Sequence, residues 1–316
     1  MRHCMMMSLL CCLLSVTTLR AQDKPLNPTT TYAIPLPRKA SFCGQEVDLL
    51  RWDLRERLDR EILAMNYMHS STLQIIKRAN RYFPVIEPIL KRNGIPDDMK
   101  YLCCIESSLN PKALSPTGAA GLWQFMPATA RENGLQVDDQ VDERYHVEKE
   151  TQAACRFLKE CYELYGDWYL TAAAYNAGKR RISAEVERQQ TGDFFDLWLS
   201  EETSRYIFRL ISMKIVLEQP GRYGFRLKAE DLYQPVKSRQ VSVSGGVADW
   251  VVFAREHGIT YLQLKEANLW LRDSRLDNTR HRVYHVDIPL KEHLMFHKDR
   301  LYVHNPAWLS DDETKH

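Results

Sequence analysis

One acidic residue in an apolar setting is the feature of this sequence best suited to chemistry. Glu106 lies in the segment YLCCIESSLNPKALSPTGAAGLWQFMP, and no other Asp or Glu follows it before Glu132. Burial among apolar side chains disfavours an ionised carboxylate and raises its pKa. A carboxylic acid that stays protonated near neutral pH can donate a proton to a poor leaving group, such as a sugar oxygen. The segment therefore predicts an enzyme that cleaves such bonds.

Helices are expected to position this acid. Leu50, Leu54, Leu58 and Ile62 recur every fourth residue, with charged residues between them, which is a helical period. We predict helices over residues 49–95 with a new start at Pro84, over 96–106, from 127 onward, and over 149–165, 168–177 and 201–218. No strand is predicted between residues 46 and 220, so we expect an all-α domain whose clefts lie between helices.

The composition changes after residue 220. QVSVSGG at 240–246 alternates like a strand, two short helices are predicted over 249–257 and 261–268, and VYHVDIP at 283–289 reads as a second strand. The fold class is therefore mainly α, with a small β-α-α-β module at 239–290. We expect residues 221–238 to be a linker, and residues 291–316 to be a C-terminal tail without assigned structure.

The N-terminus has the pattern of a secretory signal peptide over residues 1–21. Arg2 and His3 precede an apolar run from Cys4 to Val16 that is too short to span a bilayer as a helix. Residues 22–45 contain four prolines and predict an extended linker. We expect an exported protein of the periplasm or cell envelope; Cys11 and Cys12 leave lipid anchoring, and hence membrane association, open.

Composition excludes other classes of function. Apolar residues make up 44% of the 316 positions and charged residues 27%, with a formal net charge of +2, so a basic nucleic-acid-binding surface is not indicated.

Five cysteines follow the predicted cleavage site: Cys43, Cys103, Cys104, Cys155 and Cys161. We expect Cys103 and Cys104 to pack in the core, and one disulfide stays open. No metal-ligand spacing occurs, and we predict neither metal nor cofactor.

Four blocks of the sequence resemble the soluble lytic transglycosylase (SLT) family, and within it the membrane-bound type D enzymes. The blocks are Glu106-Ser107 with Ser108-Leu109-Asn110-Pro111, the run SPTGAAGLWQFMP at 115–127, Ala174-Tyr175-Asn176-Ala177-Gly178, and Glu202-Thr203 with Tyr206. Their order and spacing match the family. The resemblance implies a lysozyme-like catalytic domain, at 46–220, that acts on peptidoglycan.

The resemblance also implies roles for individual residues. Glu106 corresponds to the single catalytic acid/base. The substrate-binding positions are Ser115, which helps the reacting N-acetyl group, Gln124, which lines the sugar cleft, Met126, an apolar wall, Tyr175, whose hydroxyl approaches the acid, and Asn176, a polar contact. The supporting positions are Ser107, Gly121, Glu202 and Tyr206. We expect Gly118 and Gly121 to permit close approach of the chain.

The C-terminal module resembles a LysM domain, a peptidoglycan-binding unit. The matching segments are Val241-Ser242-Val243, Phe253-Ala254, His257-Gly258-Ile259-Thr260, Leu264, Asn268-Leu269 and Val286-Asp287-Ile288-Pro289. It departs from the family in two places: GGVAD at 245–249 replaces the usual Gly-Asp, and the glycine before the last strand is missing. Whether this module binds glycan stays open.

These observations predict a lytic transglycosylase that cleaves the β-1,4 bond between N-acetylmuramic acid and N-acetylglucosamine. Glycosidases usually pair two carboxylates about 5–9.5 Å apart, whereas a transglycosylase needs one, because the muramic C6 hydroxyl attacks in place of water. A hydrolytic lysozyme is the alternative, with Asp138, Asp139 or Asp142 positioning water, and a non-catalytic wall-binding scaffold is another. We expect a monomer that binds peptidoglycan strands. Whether it also binds proteins of cell-wall synthesis or remodelling stays open.

Overall fold

The computed structural model describes residues 33–310, which form a helical domain followed by a small mixed module. The predicted signal peptide, residues 22–32 of the predicted linker and residues 311–316 lie outside this range. The elements of the helical domain are β1 (Lys39–Phe42), β2 (Gln45–Asp48), α1 (Trp52–Tyr67), α2 (His69–Arg92), α3 (Tyr101–Ser107), α4 (Pro127–Glu132), α5 (Val147–Tyr165), α6 (Trp168–Ala177), α7 (Lys179–Gln189) and α8 (Glu201–Glu218). The module contains β3 (Ser238–Val243), α9 (Trp250–Glu256), α10 (Tyr261–Ala267) and β4 (Tyr284–Pro289).

A hairpin precedes the helices. Strands β1 and β2 pair antiparallel around a two-residue turn at Cys43 and Gly44, both of which have positive φ, as a tight hairpin turn requires. Phe42 has no exposed surface and packs in the helical core. The end of the predicted linker is therefore folded, and the expectation of no strand after residue 46 was wrong. Strands of four residues are too short to show a clear alternation in the sequence.

The helices pack around one apolar core in which α1 lies along α8, and α2 and α6 both contact α5. The predicted helix start at Pro84 was wrong, because α2 continues through Pro84 and Pro88. The buried side chains of Phe83 and Ile86 hold this part of the helix on the core. The predicted bounds of α6 and α8 agree with the structure. The α6 helix begins where the Asp167 carboxylate accepts the N–H of Leu170.

The C-terminal module has the predicted β-α-α-β order. Strands β3 and β4 pair antiparallel, with Val241 opposite Val286, and α9 and α10 cover the sheet. Trp250, Leu264 and Val286 form the centre of its core. The fold class predicted from the sequence, a mainly α domain followed by this module, is confirmed.

The module and the helical domain share part of one core. Val141 of the helical domain pairs antiparallel with Leu271 of the module, and both are buried. On either side of this pair, the N–H of Asp142 donates to the carbonyl of Trp270 at 2.9 Å, and that of Arg272 donates to Gln140 at 2.9 Å. Residues 140–142 therefore form a short added strand along the module.

The segments predicted as linker and tail are packed rather than free. Tyr223, Phe225 and Leu227 of the 221–238 segment are buried in the helical core. In the tail, Trp308 is 2% exposed and donates its indole N–H to the carbonyl of Leu217 at 2.8 Å. Isolated apolar residues between polar ones have no period, so no local pattern indicates that these segments close over the helical domain.

The five described cysteines are all free thiols. Cys43 is half-buried, and Cys103, Cys104, Cys155 and Cys161 are buried, so these four act as small apolar side chains. Within residues 33–310, no helix combines the length and the apolar character needed to cross a membrane.

Candidate active site

Glu106 lies in the last turn of α3, partly buried. The hydroxyl of Tyr206, on α8, donates to its Oε1 at 2.6 Å. Burial raises the pKa of Glu106 above the ordinary carboxyl value, and the charge of Glu202 acts in the same direction. The Tyr206 hydrogen bond and the positive charge of Arg209 oppose this effect without reversing it. Glu106 therefore keeps its proton to a higher pH than an exposed glutamate does.

The chain turns sharply just after Glu106. Ser108 and Leu109 both adopt the left-handed conformation, with φ of 52° and 54°. This costs about 1–2 kcal/mol per non-glycine residue, and the turn is held by burial of Leu109 and by Arg78, which donates to the Ser108 carbonyl at 3.0 Å. Ser107, one of the predicted supporting residues, donates its hydroxyl to the Cys103 carbonyl within α3.

A second turn, residues 115–125, carries two of the predicted substrate contacts. Ser115 closes its first part, because its N–H donates to the Ala119 carbonyl at 2.8 Å and its Oγ accepts the Ala119 N–H at 2.9 Å. Ala120 then pairs antiparallel with both Leu114 and Phe125. The hydroxyl of Ser115 thus has a structural contact in its own turn, and the residue is half-buried.

Gln124 is held in a strained position within this turn. Its φ is +51°, and its side-chain amide donates to the carbonyls of Gly121 at 2.8 Å and Ala113 at 3.3 Å. Its amide oxygen accepts no hydrogen bond from any described residue. The fixed amide nitrogen therefore leaves an oriented oxygen that can accept an N–H or O–H group from a ligand.

Gln124 opens into a cavity of about 580 Å³ that adjoins the turn. Met126, 42% exposed, lies on its wall, together with the aromatic rings of Tyr175 and Phe157. Aromatic and thioether surfaces beside a few fixed polar groups are the usual lining of a ligand pocket. Asn176 is half-buried at the end of α6, and its amide bonds to no other described residue.

Tyr175 takes a different partner from the one that the resemblance implied. Its hydroxyl donates to the carbonyl of Trp123 at 2.6 Å, and burial raises its pKa well above the ordinary tyrosine value. The negative charge of Glu106 adds to that increase. The direct hydrogen bond to the acid comes from Tyr206 instead.

A second cavity, of about 650 Å³, lies against the turn that follows Glu106. Ile105 and Ser108, which flank Glu106 in the sequence, both line it. Glu202 also lines it, exposed at the start of α8 and without an ion pair in the described part of the chain. Residues on both sides of Glu106 in the sequence therefore line this cavity, whereas Glu106 itself is not among the residues that line either cavity.

Sequence reasoning missed two buried charged residues beneath the 115–125 turn. Glu150, fully buried, accepts the N–H of Trp123 at 3.2 Å, and burial raises its pKa well above the ordinary value. Arg144, 6% exposed, donates to carbonyls of the turn. Glu150 could have been found, because it shares the apolar face of α5 with Ala154 and Leu158 at four-residue spacing.

The same region explains one of the predicted glycines. A Cβ on Gly121 would lie 1.8 Å from the Arg144 carbonyl oxygen and 2.3 Å from Glu150 Oε2, so the close approach expected there exists. A Cβ added to Gly118 would have no neighbouring atom within 4 Å, so only the φ of +91° favours glycine there.

The aspartates considered for a hydrolytic mechanism have other contacts. Asp142 is buried and forms a 2.7 Å ion pair with Arg144. Asp138 accepts the backbone N–H groups of Gln140 and Val141. Asp139 is exposed on the same loop. The carboxylates of Asp138 and Asp142 thus hold the loop that docks the module.

Two segments of the chain match known families. Residues 84–197 match the transglycosylase SLT domain, and residues 239–292 match the soluble lytic transglycosylase C-terminal LysM-like domain. The chain contains an SLT domain and a LysM-like domain. The family resemblance read from the four sequence blocks is thereby confirmed.

Relatives of the SLT domain carry names from the same family. Membrane-bound lytic murein transglycosylase D of Escherichia coli is 31% identical over 209 residues, which cover 62% of this chain and 45% of that protein. Peptidoglycan transglycosylase gp16 of Escherichia phage T7 is 34% identical over 125 residues, or 38% of this chain and 9% of that protein. The matched region thus spans less than half the length of each of these two relatives.

A solved structure is also similar. The 70 kDa soluble lytic transglycosylase of Escherichia coli aligns with a TM-score of 0.38 and 23% identity, over 43% of this chain and 24% of that one.

Proposed function

We propose that this protein is a lytic transglycosylase that cleaves the β-1,4 bond between N-acetylmuramic acid and N-acetylglucosamine in peptidoglycan. The observation that carries the proposal is Glu106, a carboxyl group with a raised pKa that accepts the hydroxyl of Tyr206 and whose neighbours Ile105 and Ser108 line a cavity of about 650 Å³. The SLT domain and the names of its relatives support the same chemistry. We assign the catalytic domain to residues 46–220 and the module to residues 239–290.

Glu106 acts first as an acid. Its proton passes to the glycosidic oxygen, the bond from that oxygen to the muramic C1 breaks, and positive charge develops at C1. The N-acetyl group of the same sugar stabilises that charge. As the carboxylate forms, the Tyr206 hydroxyl at 2.6 Å stabilises it, because a hydrogen bond to an ionised acceptor is the stronger kind.

Glu106 then acts as a base. Its carboxylate takes the proton of the muramic C6 hydroxyl, and the C6 oxygen forms the new bond to C1. The product is a 1,6-anhydro sugar, no water is consumed, and Glu106 recovers its proton. Both roles suit a side chain whose pKa is raised by burial and partly lowered again by Tyr206 and Arg209.

The turn and the cavity at its side supply the proposed substrate contacts. Gln124 offers its oriented amide oxygen and Met126 an apolar wall, while the half-buried Ser115 lies at the start of the turn. Asn176, at the end of α6, offers an amide that bonds to no other described residue, although it is not among the residues that line the cavity. Tyr175 supports the turn through the Trp123 carbonyl. We place the protein outside the cytoplasm, in the periplasm or cell envelope, where peptidoglycan lies.

Mass spectrometry of fragments released from purified peptidoglycan tests this function. The wild type is expected to release fragments one water lighter than hydrolytic products, and Glu106→Gln is expected to release none, because the amide cannot donate a proton to the leaving oxygen. Glu163→Gln is the matched control, since Glu163 is exposed on α5, and it should retain full activity.

Two other results would contradict the proposal. Fragments with ordinary reducing ends would identify a hydrolytic lysozyme. Binding to peptidoglycan without any release by the wild type would identify a scaffold. Activity that persists in Glu106→Gln would remove Glu106 from its assigned role while leaving the class of enzyme intact.

A further inference from the structure

We propose that the LysM-like module is a working part of the active site, because it holds the 115–125 turn in place through Asp142 and Arg144. In this view, Arg144 is a positioning residue rather than a catalytic one. The statement that the turn contacts sugar rests on the proposed function. The mechanical claim, that the module holds the turn through Asp142 and Arg144, rests on the contacts alone.

Arg144 fastens the turn at two points, Gly118 and Phe125. One of its Nη atoms donates to the carbonyl of Gly118 at 2.7 Å and to that of Phe125 at 3.0 Å. These two carbonyls bracket the segment that contains Gln124. Only 8% of the Arg144 side chain is exposed, so water does not replace these bonds without a rearrangement of the turn.

Asp142 fixes the guanidinium of Arg144. Its two carboxylate oxygens accept from Nε at 2.9 Å and from the second Nη at 2.7 Å, and Oδ1 also accepts the Arg144 N–H at 3.1 Å. This is the bidentate geometry that only an arginine can satisfy. The direction of the Arg144 side chain therefore depends on where the backbone of Asp142 lies.

The module fixes one side of the segment that bears Asp142. The N–H of Asp142 donates to the Trp270 carbonyl at 2.9 Å, beside the antiparallel pair of Val141 and Leu271, while the other side of the segment pairs with Val137 of its own loop. Val141 has no exposed surface, although it lies on a loop, because the module covers it. A module that moved away would expose Val141 and break the hydrogen bond from Asp142 to Trp270.

Side chains tie the same loop to the module at its start. Arg282 and Tyr284 both donate to Oε1 of Gln136, at 2.7 and 3.0 Å. The guanidinium of Arg272 lies 4.3 Å from the centre of the Tyr145 ring, immediately after Arg144. The module thus contacts the loop before, at and after the Asp142–Arg144 pair.

The helical domain holds the turn mainly around Trp123. Glu150 accepts the Trp123 N–H, Tyr175 donates to the Trp123 carbonyl, and the side chains of Leu122, Trp123 and Phe125 are buried in the helical core. Loss of Arg144 is therefore expected to loosen the backbone at the Gly118 and Phe125 carbonyls while Trp123 stays anchored. A small displacement at a substrate contact lowers the rate more than it lowers binding.

Hydrogen exchange on the full chain, without substrate, tests the mechanical claim. We expect Arg144→Met, which keeps the length of the side chain and removes its donors, to raise amide exchange in residues 115–125 about tenfold or more. Leu271→Ala, which loosens the module where it pairs with Val141, should raise exchange in the same residues. Leu262→Ser is the control, because Leu262 is 68% exposed on α10 of the same module, and it should change nothing.

Kinetics on peptidoglycan strands test the consequence for catalysis. Both Arg144→Met and Leu271→Ala should lower kcat about 10- to 100-fold with a smaller change in KM, and Arg144→Lys should fall between them and the wild type because it can reach fewer acceptors. If Arg144→Met does not fold, the lysine variant decides the outcome. A wild type without transglycosylase products would refute the proposed function and leave the exchange result to judge this inference.

Two exchange results would overturn the inference. Unchanged exchange of the turn in Arg144→Met would show that the arginine does not hold it. Faster exchange in Arg144→Met with wild-type exchange in Leu271→Ala would show that the arginine acts without the module.

Discussion

The acid–tyrosine pair at the centre of the site balances two opposing effects on one carboxyl group. Burial favours the protonated form of Glu106, whereas the 2.6 Å hydrogen bond from Tyr206 favours the ionised form. A group that must give a proton and then take one back needs both forms within reach. The side chain of Tyr206, 2% exposed, is too confined to turn away from the acid.

Replacing Tyr206 by Phe should move the alkaline limb of the pH profile to higher pH. The hydroxyl stabilises the ionised form of Glu106, so its loss raises the pKa further, and the acid then stays protonated over a wider range. The maximum rate should fall about tenfold, since a hydrogen bond that orients the acid contributes about 1–1.5 kcal/mol. Profiles of kcat/KM against pH report this limb.

Tyr162→Phe provides the comparison for that measurement. Tyr162 lies on α5, is 37% exposed, and stacks on Trp168 through its ring, which phenylalanine preserves. Its profile should match the wild type. An alkaline limb that stays in place or moves to lower pH in Tyr206→Phe would show that the hydroxyl does not stabilise the carboxylate.

At the scale of elements, the 115–125 turn is closely packed at one of its two glycines and open at the other. Both Gly118 and Gly121 have positive φ, at +91° and +84°. An alanine at position 118 meets only conformational strain, because nothing lies within 4 Å of the new Cβ. At position 121 it also meets the Arg144 carbonyl and the carboxylate of Glu150, neither of which has room to move.

Gly121→Ala is therefore expected to lower the free energy of unfolding by about 3 kcal/mol or more, from strain together with overpacking. Gly118→Ala should lower it by about 1–2 kcal/mol, from strain alone. Chemical denaturation of both variants measures the difference. Equal losses would mean that the turn can move off Arg144 and Glu150 without cost, against the tight packing seen here.

The elements themselves were predictable where local signals were strong. Asp167 and Gly178 mark the two ends of α6, and both ends were predicted to the residue. Helix α7 was missed because Ile182 is its only buried residue, so it lacks an apolar stripe. The contact from Tyr206 to Glu106 spans 100 positions and depends on how α8 packs on α3. No local pattern encodes such a contact, and the family resemblance named both residues without pairing them.

At the scale of the whole molecule, the chain leaves the helical domain, forms the module and returns. Asn80 on α2 receives both the outgoing and the returning segments. Its amide donates to the carbonyls of Tyr233 at 3.2 Å and Tyr302 at 3.0 Å, and its oxygen accepts the N–H of His304 at 2.8 Å. The module is therefore tied to the helical domain at both of its ends as well as at the loop that bears Arg144.

Trp308 secures the returning segment. Its ring packs beside Phe83 with centroids 6.2 Å apart, and its indole N–H satisfies the Leu217 carbonyl. Trp308→Ala should lower the free energy of unfolding by about 3–5 kcal/mol, as for other buried aromatic residues. Phe296→Ala, in the same segment but 58% exposed, should lower it by less than about 0.5 kcal/mol.

The number of thermal transitions shows what that loss means for the molecule. Because Trp308 lies in the core of the helical domain while its segment follows the module, its removal should lower the midpoint of one shared transition. A separate early transition confined to the module, or equal stability of the Trp308 and Phe296 variants, would show that the returning segment does not join the two. A shared transition would instead mean that the active-site turn and the module lose their structure together, which the Arg144 contacts require.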